Sequence, residues 1–107
     1  MTTFDDRKDK FERKFVHDEA LRFKATARRN KLVGQWAAGI LGLSGAKADE
    51  YVRAVIAADL KEKGDEDVVR KLRADFDAAG VDQSDHQIRR HLDEFMAEAV
   101  RQVQEKG

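Results

Sequence analysis

Neither cysteine nor proline occurs among the 107 residues. Without thiols the chain forms no disulfide, has no thiolate nucleophile and cannot build a cysteine-ligated zinc site. Without proline nothing removes a backbone donor from a helix interior, which favours long uninterrupted helices. Long apolar runs are missing too. The uncharged stretch from Leu32 to Gly45 is broken by Gly34, Gln35, Gly39 and Gly42, and it falls short of the ~20 apolar residues that span a bilayer. No transmembrane helix is therefore expected. The first ten residues mix acids and bases with no apolar core, so no secretory signal is expected and the protein should stay in the compartment where it is made. A basic overall charge is also lacking, because 21 Lys and Arg balance 21 Asp and Glu. With few aromatics among the basic residues, nucleic-acid binding has no support.

What is present suffices for a small core. The chain has 29 large apolar residues and 15 alanines, and Leu, Ile, Val and Phe make up 25 positions, above the roughly one-fifth below which charged chains stay disordered. The balanced charge hides an uneven distribution: residues 20–43 carry 5 basic side chains and no acidic one. Such a basic helix either pairs internally with its acidic neighbours or offers a phosphate or nucleotide site at Arg28, Arg29 and Lys31.

Four segments repeat apolar residues at intervals of three and four, the period of one helix face. They are Leu21, Ala25, Leu32, Trp36, Ile40 and Leu43, widened by Val33 and Ala37; Ala48, Tyr51, Val52, Val55, Ile56 and Leu60; Val68, Val69, Leu72, Phe76 and Ala79; and Ile88, Leu92, Phe95, Ala99, Val100 and Val103. None alternates as a strand would. Gly42 and Gly45 break the first from the second. Gly64 stops the second, and Asp65 is expected to cap the third by accepting from its free amides. Gly80 closes the third, and Ser84 with Gln87 fits a reciprocal capping box for the fourth. The pattern predicts an all-α fold, a four-helix bundle over residues 20–107, with connections short enough for neighbouring helices to run antiparallel.

Residues 1–19 read differently. Phe4, Phe11 and Phe15 share one helical face, with only Met1 and Val16 as further large apolar residues. An isolated helix of that length is marginal in water. The expectation is a mobile arm that becomes helical on a partner. Its phenylalanines either anchor in a partner's groove or staple the arm to the bundle.

Candidates for chemistry are poor. His86 and His91 are five apart rather than the four of helical metal sites, and no metal site is expected. His17, beside Asp18, has the chemistry of a proton-sensitive switch or of a solvated surface residue. Ser44 and Ser84 stand at turn and cap positions. The glycines of residues 39–45 lack the spacing and the terminal Gly-Lys-Ser/Thr of a phosphate loop, and Gly34 reads as a point of close helix packing. No catalytic residue, cofactor or enzyme activity is expected.

Taken in order, Phe4-Asp-Asp-Arg7, Lys14-Phe-Val-His17-Asp18-Glu19, the run from Phe23 through Arg28-Arg29-Asn30-Lys31 to Gly34, Trp36-Ala-Ala38, Gly64-Asp-Glu-Asp67-Val68, Arg73-Ala-Asp-Phe76 and Ser84 to Arg90 resemble the zeta subunit family of alphaproteobacterial ATP synthases. The likeness covers essentially the whole chain. Lys63 stands where many members have proline, a departure that concerns the stiffness of one loop. The resemblance implies a four-helix bundle whose N-terminal arm enters a catalytic interface of the synthase head and blocks ATP hydrolysis. It places Phe4, Arg7, Phe11, Lys14, Phe15 and His17 in the inhibitory stretch. It implies the catalytic head subunits as partners and a cytoplasmic location peripheral to the inner membrane through the synthase, without membrane insertion. The bundle would dock on the outside of the head and raise the arm's effective concentration. The alternative is a helical regulator that responds to nucleotide or phosphate through the basic face.

Overall fold

The structure, a computed structural model, describes residues 18–61 and 64–106. Four helices account for most of them: α1 Glu19–Ile40, α2 Gly45–Asp59, α3 Glu66–Ala78 and α4 Asp85–Lys106. Helices consecutive in the chain pack on one another, and α1 closes the ring against α4. The all-α four-helix bundle expected from the apolar periods is what the chain forms.

The ends of the helices follow from side-chain and backbone chemistry. Asp18 is extended and its Oδ1 accepts from the Leu21 amide at 3.1 Å, while Glu19 sits in the positive first turn; both satisfy the start of α1. The other end of α1 closes when Gly42, at φ +77°, turns the chain so that Leu43 N–H donates to Ala38 and Gly42 N–H to Gly39. Gly80 repeats the device after α3, with Val81 donating to Phe76 and Gly80 to Asp77. Left-handed backbone of this kind costs glycine nothing. Before α4, Ser84 Oγ accepts from the Gln87 amide at 3.1 Å and Gln87 Oε1 accepts from the Ser84 amide at 2.9 Å, the reciprocal box the sequence predicts.

The core is built from Val33 and Ala37 of α1, Val55 of α2, Val68, Val69, Leu72 and Phe76 of α3, and Ile88 and Leu92 of α4. Trp36 packs its ring edge-on to Phe76, with centroids 5.5 Å apart at 82°, a favoured aromatic geometry. Trp36 and Phe95, which the periodicity places in the core, are only partly buried against it. Tyr51 lies on the rim, donating its hydroxyl to Asp75 Oδ2 at 2.7 Å. Burial first, and then Asp75 as hydrogen-bond partner and neighbouring charge, push that phenol well above its ordinary range.

The buried side of α1 departs from its predicted stripe. Its buried residues are Ala25, Arg29, Asn30, Val33, Gly34, Ala37 and Ala38, whereas Leu21, Leu32 and Trp36 are half-buried and Ile40 is exposed. A helix that packs against two neighbours buries a wide arc, and close approach on both sides favours small residues over leucines. Gly34 is a point of close approach: a Cβ there would lie 3.1 Å from Val52 Cα on α2. Gly34→Val is therefore expected to lower stability by about 1–3 kcal/mol, the usual cost of overpacking, read as a shift of the urea midpoint. An unchanged midpoint would mean that α1 and α2 part freely there.

The last turns of α4 are held by charge. Arg101 donates to Glu98, and to Glu105 at 2.6 Å, and Gln102 donates to Glu98 at 3.0 Å. The bond from Arg101, then that from Gln102, hold the Glu98 carboxyl down at about 2, against an ordinary 4.5. A depressed carboxylate stabilises the fold above its unfolded pKa, and the contribution disappears as pH falls through the folded value. The side-chain carboxyl signal of Glu98 should accordingly titrate near 2, and Arg101→Gln should bring the midpoint back towards 4.5. A midpoint already at 4.5 in the unsubstituted protein would dissolve the network.

Candidate functional site

The inhibitory stretch indicated by resemblance, Phe4, Arg7, Phe11, Lys14, Phe15 and His17, lies outside the described residues. The expected boundary between arm and bundle, after residue 19, falls within the described residues, where α1 begins at Glu19 and is capped by Asp18. The bundle presents the other candidate features, and they gather around the first half of α1.

That half is basic. Between Glu19 and Ile40 the helix carries Arg22, Lys24, Arg28, Arg29 and Lys31 against a single acid, Glu19. Arg29 turns inward and is 2% exposed. Its Nη1 donates to Asp65 Oδ1 at 2.7 Å, its Nη2 lies 3.4 Å from Asp59 Oδ1, and its Nε and Nη2 both donate to Asn30 Oδ1. Asn30 in turn donates to Asp59 Oδ2 at 2.9 Å. Asn30 Oδ1, both Asp59 oxygens and Asp65 Oδ1 each meet a donor, and Asp65 is 42% exposed, so the buried charge is compensated, the condition under which it is tolerable.

The physical sense of the cluster lies in what it joins. Asp59 is the last residue of α2, where the helix end already carries partial negative charge and no basic residue occupies the last turn. Asp65 is the residue before α3. One guanidinium between them offsets the unfavourable carboxylate at the α2 terminus and pins both ends of the connection to α1. The same contact explains a difference from the sequence reading. Asp65 occupies the cap position of α3 but makes no side-chain capping bond, because the charged guanidinium at 2.7 Å is a stronger donor than a backbone amide.

Of the three residues weighed as a phosphate site, the structure does not bring all together. Arg29 is committed to the internal pair. Arg28 donates to Gln102 of α4 at 3.2 Å, and it lines, with Lys24 and Lys31, an open groove of about 440 Å³ floored by Phe23, Ile56 and Val103. A second groove of about 480 Å³ lies on the other side of Phe23, beside Ile56, Asp59 and Leu60. Phe23 is 68% and Leu60 72% exposed, although Leu60 falls on the predicted stripe of α2. It follows the last helical residue, so the stripe has already left the bundle there. Phe23 belongs to no predicted stripe, and the only signal for it was its position among basic residues. Spacing gives no sign of Asp59 and Asp65 as partners of Arg29, because they lie thirty and thirty-six residues away along the chain.

The two histidines among the described residues serve no common centre. His91 stacks on Trp36 with centroids 4.3 Å apart, its Nδ1 3.4 Å from Glu94, while His86 is exposed. Among the described residues no group of three or more His, Asp or Glu converges on a point that could hold a metal ion, and no helix is long and apolar enough to cross a membrane.

Comparison with known proteins adds three findings. The family model described as ATPase inhibitor subunit zeta matches residues 1–102. A protein solved by NMR in solution is similar over 81% of this chain and 99% of its own, at 40% sequence identity and a TM-score of 0.70. Comparison with curated proteins gives no match.

Proposed function

Because the chain belongs to the ATPase inhibitor subunit zeta family, we propose that it blocks ATP hydrolysis by the rotary ATP synthase head, with residues 1–19 entering a catalytic interface of that head and the bundle holding them in place. The observation that carries this reading is the extent of the family match: residues 1–102 take in the phenylalanine-bearing N-terminal segment as well as all but the last residues of α4. The division of labour follows from where apolar surface lies. The bundle buries its own core from α1 to α4, whereas Phe4, Phe11 and Phe15 stand in a charged segment ahead of Asp18. Aromatic anchors of that kind dominate protein interfaces when they fill pockets on the partner. Arg7, Lys14 and His17 are assigned to the same contact as its polar rim.

In mechanistic terms a segment wedged between head subunits prevents the domain motion that each hydrolytic cycle requires, so inhibition needs no chemistry from the inhibitor. The alternative, a regulator answering nucleotide through Arg28, Arg29 and Lys31, is disfavoured by the inward pairing of Arg29. Adding the purified chain to head complex depleted of its own inhibitor should lower steady-state ATP hydrolysis in a saturable way. Immobilised on a resin, it should retain the ATPase subunits from native extract. Undiminished hydrolysis at saturating inhibitor would refute the reading.

A further inference from the structure

We infer that the open stretch of α1 around Phe23 is the surface by which the bundle holds its partner, and that the partner's element there is an amphipathic helix bearing carboxylates. The inference rests on the inhibitor reading and assigns the holding contact to one face.

The first argument is the shape of the bundle. Phe23, Asn30 and Ala37 recur at intervals of seven and so share one side of α1; Asn30 and Ala37 are buried, and Phe23 is 68% exposed. The bundle covers this side along most of its length and stops covering it where α2 ends at Asp59. Grooves flank Phe23 on both sides and have Ala27 and Ile56 as common walls, with exposed Leu60 at one edge. A single exposed apolar side chain is unremarkable, but a continuous trough with an aromatic ridge is the shape that accepts a helix face.

Charge names the occupant. None of the ion pairs formed among the described residues involves Lys24, Arg28 or Lys31, and Arg28 has only the neutral Gln102. The acids on the Leu60 side are already answered, Asp59 by Arg29 and Asn30, and Glu19 by Arg22 at 4.0 Å. Three uncompensated cations within eight residues repel one another until an anionic partner arrives. A small anion would use the cations and leave the apolar trough empty. An acidic amphipathic helix uses both, its apolar side on Phe23 and Ile56 and its carboxylates towards Lys24, Arg28 and Lys31. Position supports the same assignment: the N-terminal segment joins α1 at Asp18, five residues before Phe23, so a partner gripped by that segment is within reach of the trough, and each contact raises the effective concentration of the other.

The test uses the full chain and inhibitor-depleted head complex. Phe23→Ser, and separately Lys24→Glu with Lys31→Glu, alter exposed positions and should leave the urea midpoint unchanged. Each should raise the half-inhibitory concentration at least tenfold while leaving maximal inhibition intact, because residues 1–17 are untouched. The charge reversal should also abolish the salt dependence of the onset of inhibition. A chain carrying the photoreactive phenylalanine analogue p-benzoylphenylalanine at position 23, which keeps an aromatic there, should crosslink to an acidic helix of the head. Half-inhibitory concentrations within twofold of the unsubstituted chain, or crosslinks to a second copy, to residues 1–17 or to a basic segment, would overturn the assignment and leave the inhibitor reading standing. If the unsubstituted chain itself fails to inhibit, the inhibitor reading falls and this assignment with it.

Discussion

A chain shortened to begin at Asp18 is expected to fold as the full protein does and to leave ATP hydrolysis by the synthase head at its uninhibited rate. Folding should survive because Asp18, which caps the Leu21 amide, is retained, and because the core cluster extends from Val33 to Leu92. Inhibition should not survive, because on the proposed reading residues 1–17 enter the catalytic interface and the trough around Phe23 serves only to hold the bundle against the head. Starting at Asp18 matters physically: removing the cap as well would cost about 1 kcal/mol of helix stability and confuse loss of folding with loss of function. In the full chain, Phe11→Ser with Phe15→Ser should produce nearly the same loss, since buried aromatic anchors each contribute about 2 kcal/mol or more to such interfaces. The measurements are the urea midpoint, which should match that of the full chain, and steady-state hydrolysis titrated with each form. A shortened chain that inhibits as well as the intact one would move the inhibitory surface onto the bundle.

Asp59→Ala is expected to be the most damaging single truncation of a polar side chain in the bundle, at about 3–5 kcal/mol, the range for breaking a buried ion pair from one side. Arg29 is 2% exposed and Asp59 11%, whereas Asp65 is 42% exposed. Removing Asp59 leaves the guanidinium buried with one partly solvated carboxylate and strands Asn30 Nδ2, which donates to Asp59. The cost should arise mostly from the orphaned charge rather than from the lost attraction. Arg29→Met in the Asp59→Ala background should therefore restore a substantial part of the stability, because the arginine stem is replaced by an apolar side chain of similar length and Asp65 returns to water. The double variant being as unstable as Asp59→Ala alone, in urea unfolding, would contradict this account. Nucleotide at millimolar concentration should leave the stability of the unsubstituted protein unchanged, since Arg29 is buried and committed to Asn30, Asp59 and Asp65.

Much of the fold is legible in the linear order of residues, where the deciding interactions are local. The Ser84–Gln87 box, the left-handed turns at Gly42 and Gly80 and the stripes of α3 and α4 depend on contacts within a few residues, so spacing alone specifies them. The zeta likeness rests on motifs spread along the chain and is equally a property of order. What spacing could not decide depends on which helices meet. Trp36 and Phe95 sit on the right stripes yet end half-buried, and α1 buries alanine, glycine and asparagine instead of its leucines because it is clasped from two sides. Leu60 lies on a stripe but beyond the end of α2. Arg29, whose charge leaves both an internal pair and a phosphate contact open in the sequence, is taken inward by two carboxylates thirty and thirty-six residues away, which in turn deprives α3 of the cap that Asp65 would have made. Periodicity determines which residues seek an interior, and charge order determines which seek a partner. The length of each neighbouring helix and the crossing of separate segments decide who is covered, because burial and ion pairing depend on distance in space, and only the folded chain sets that.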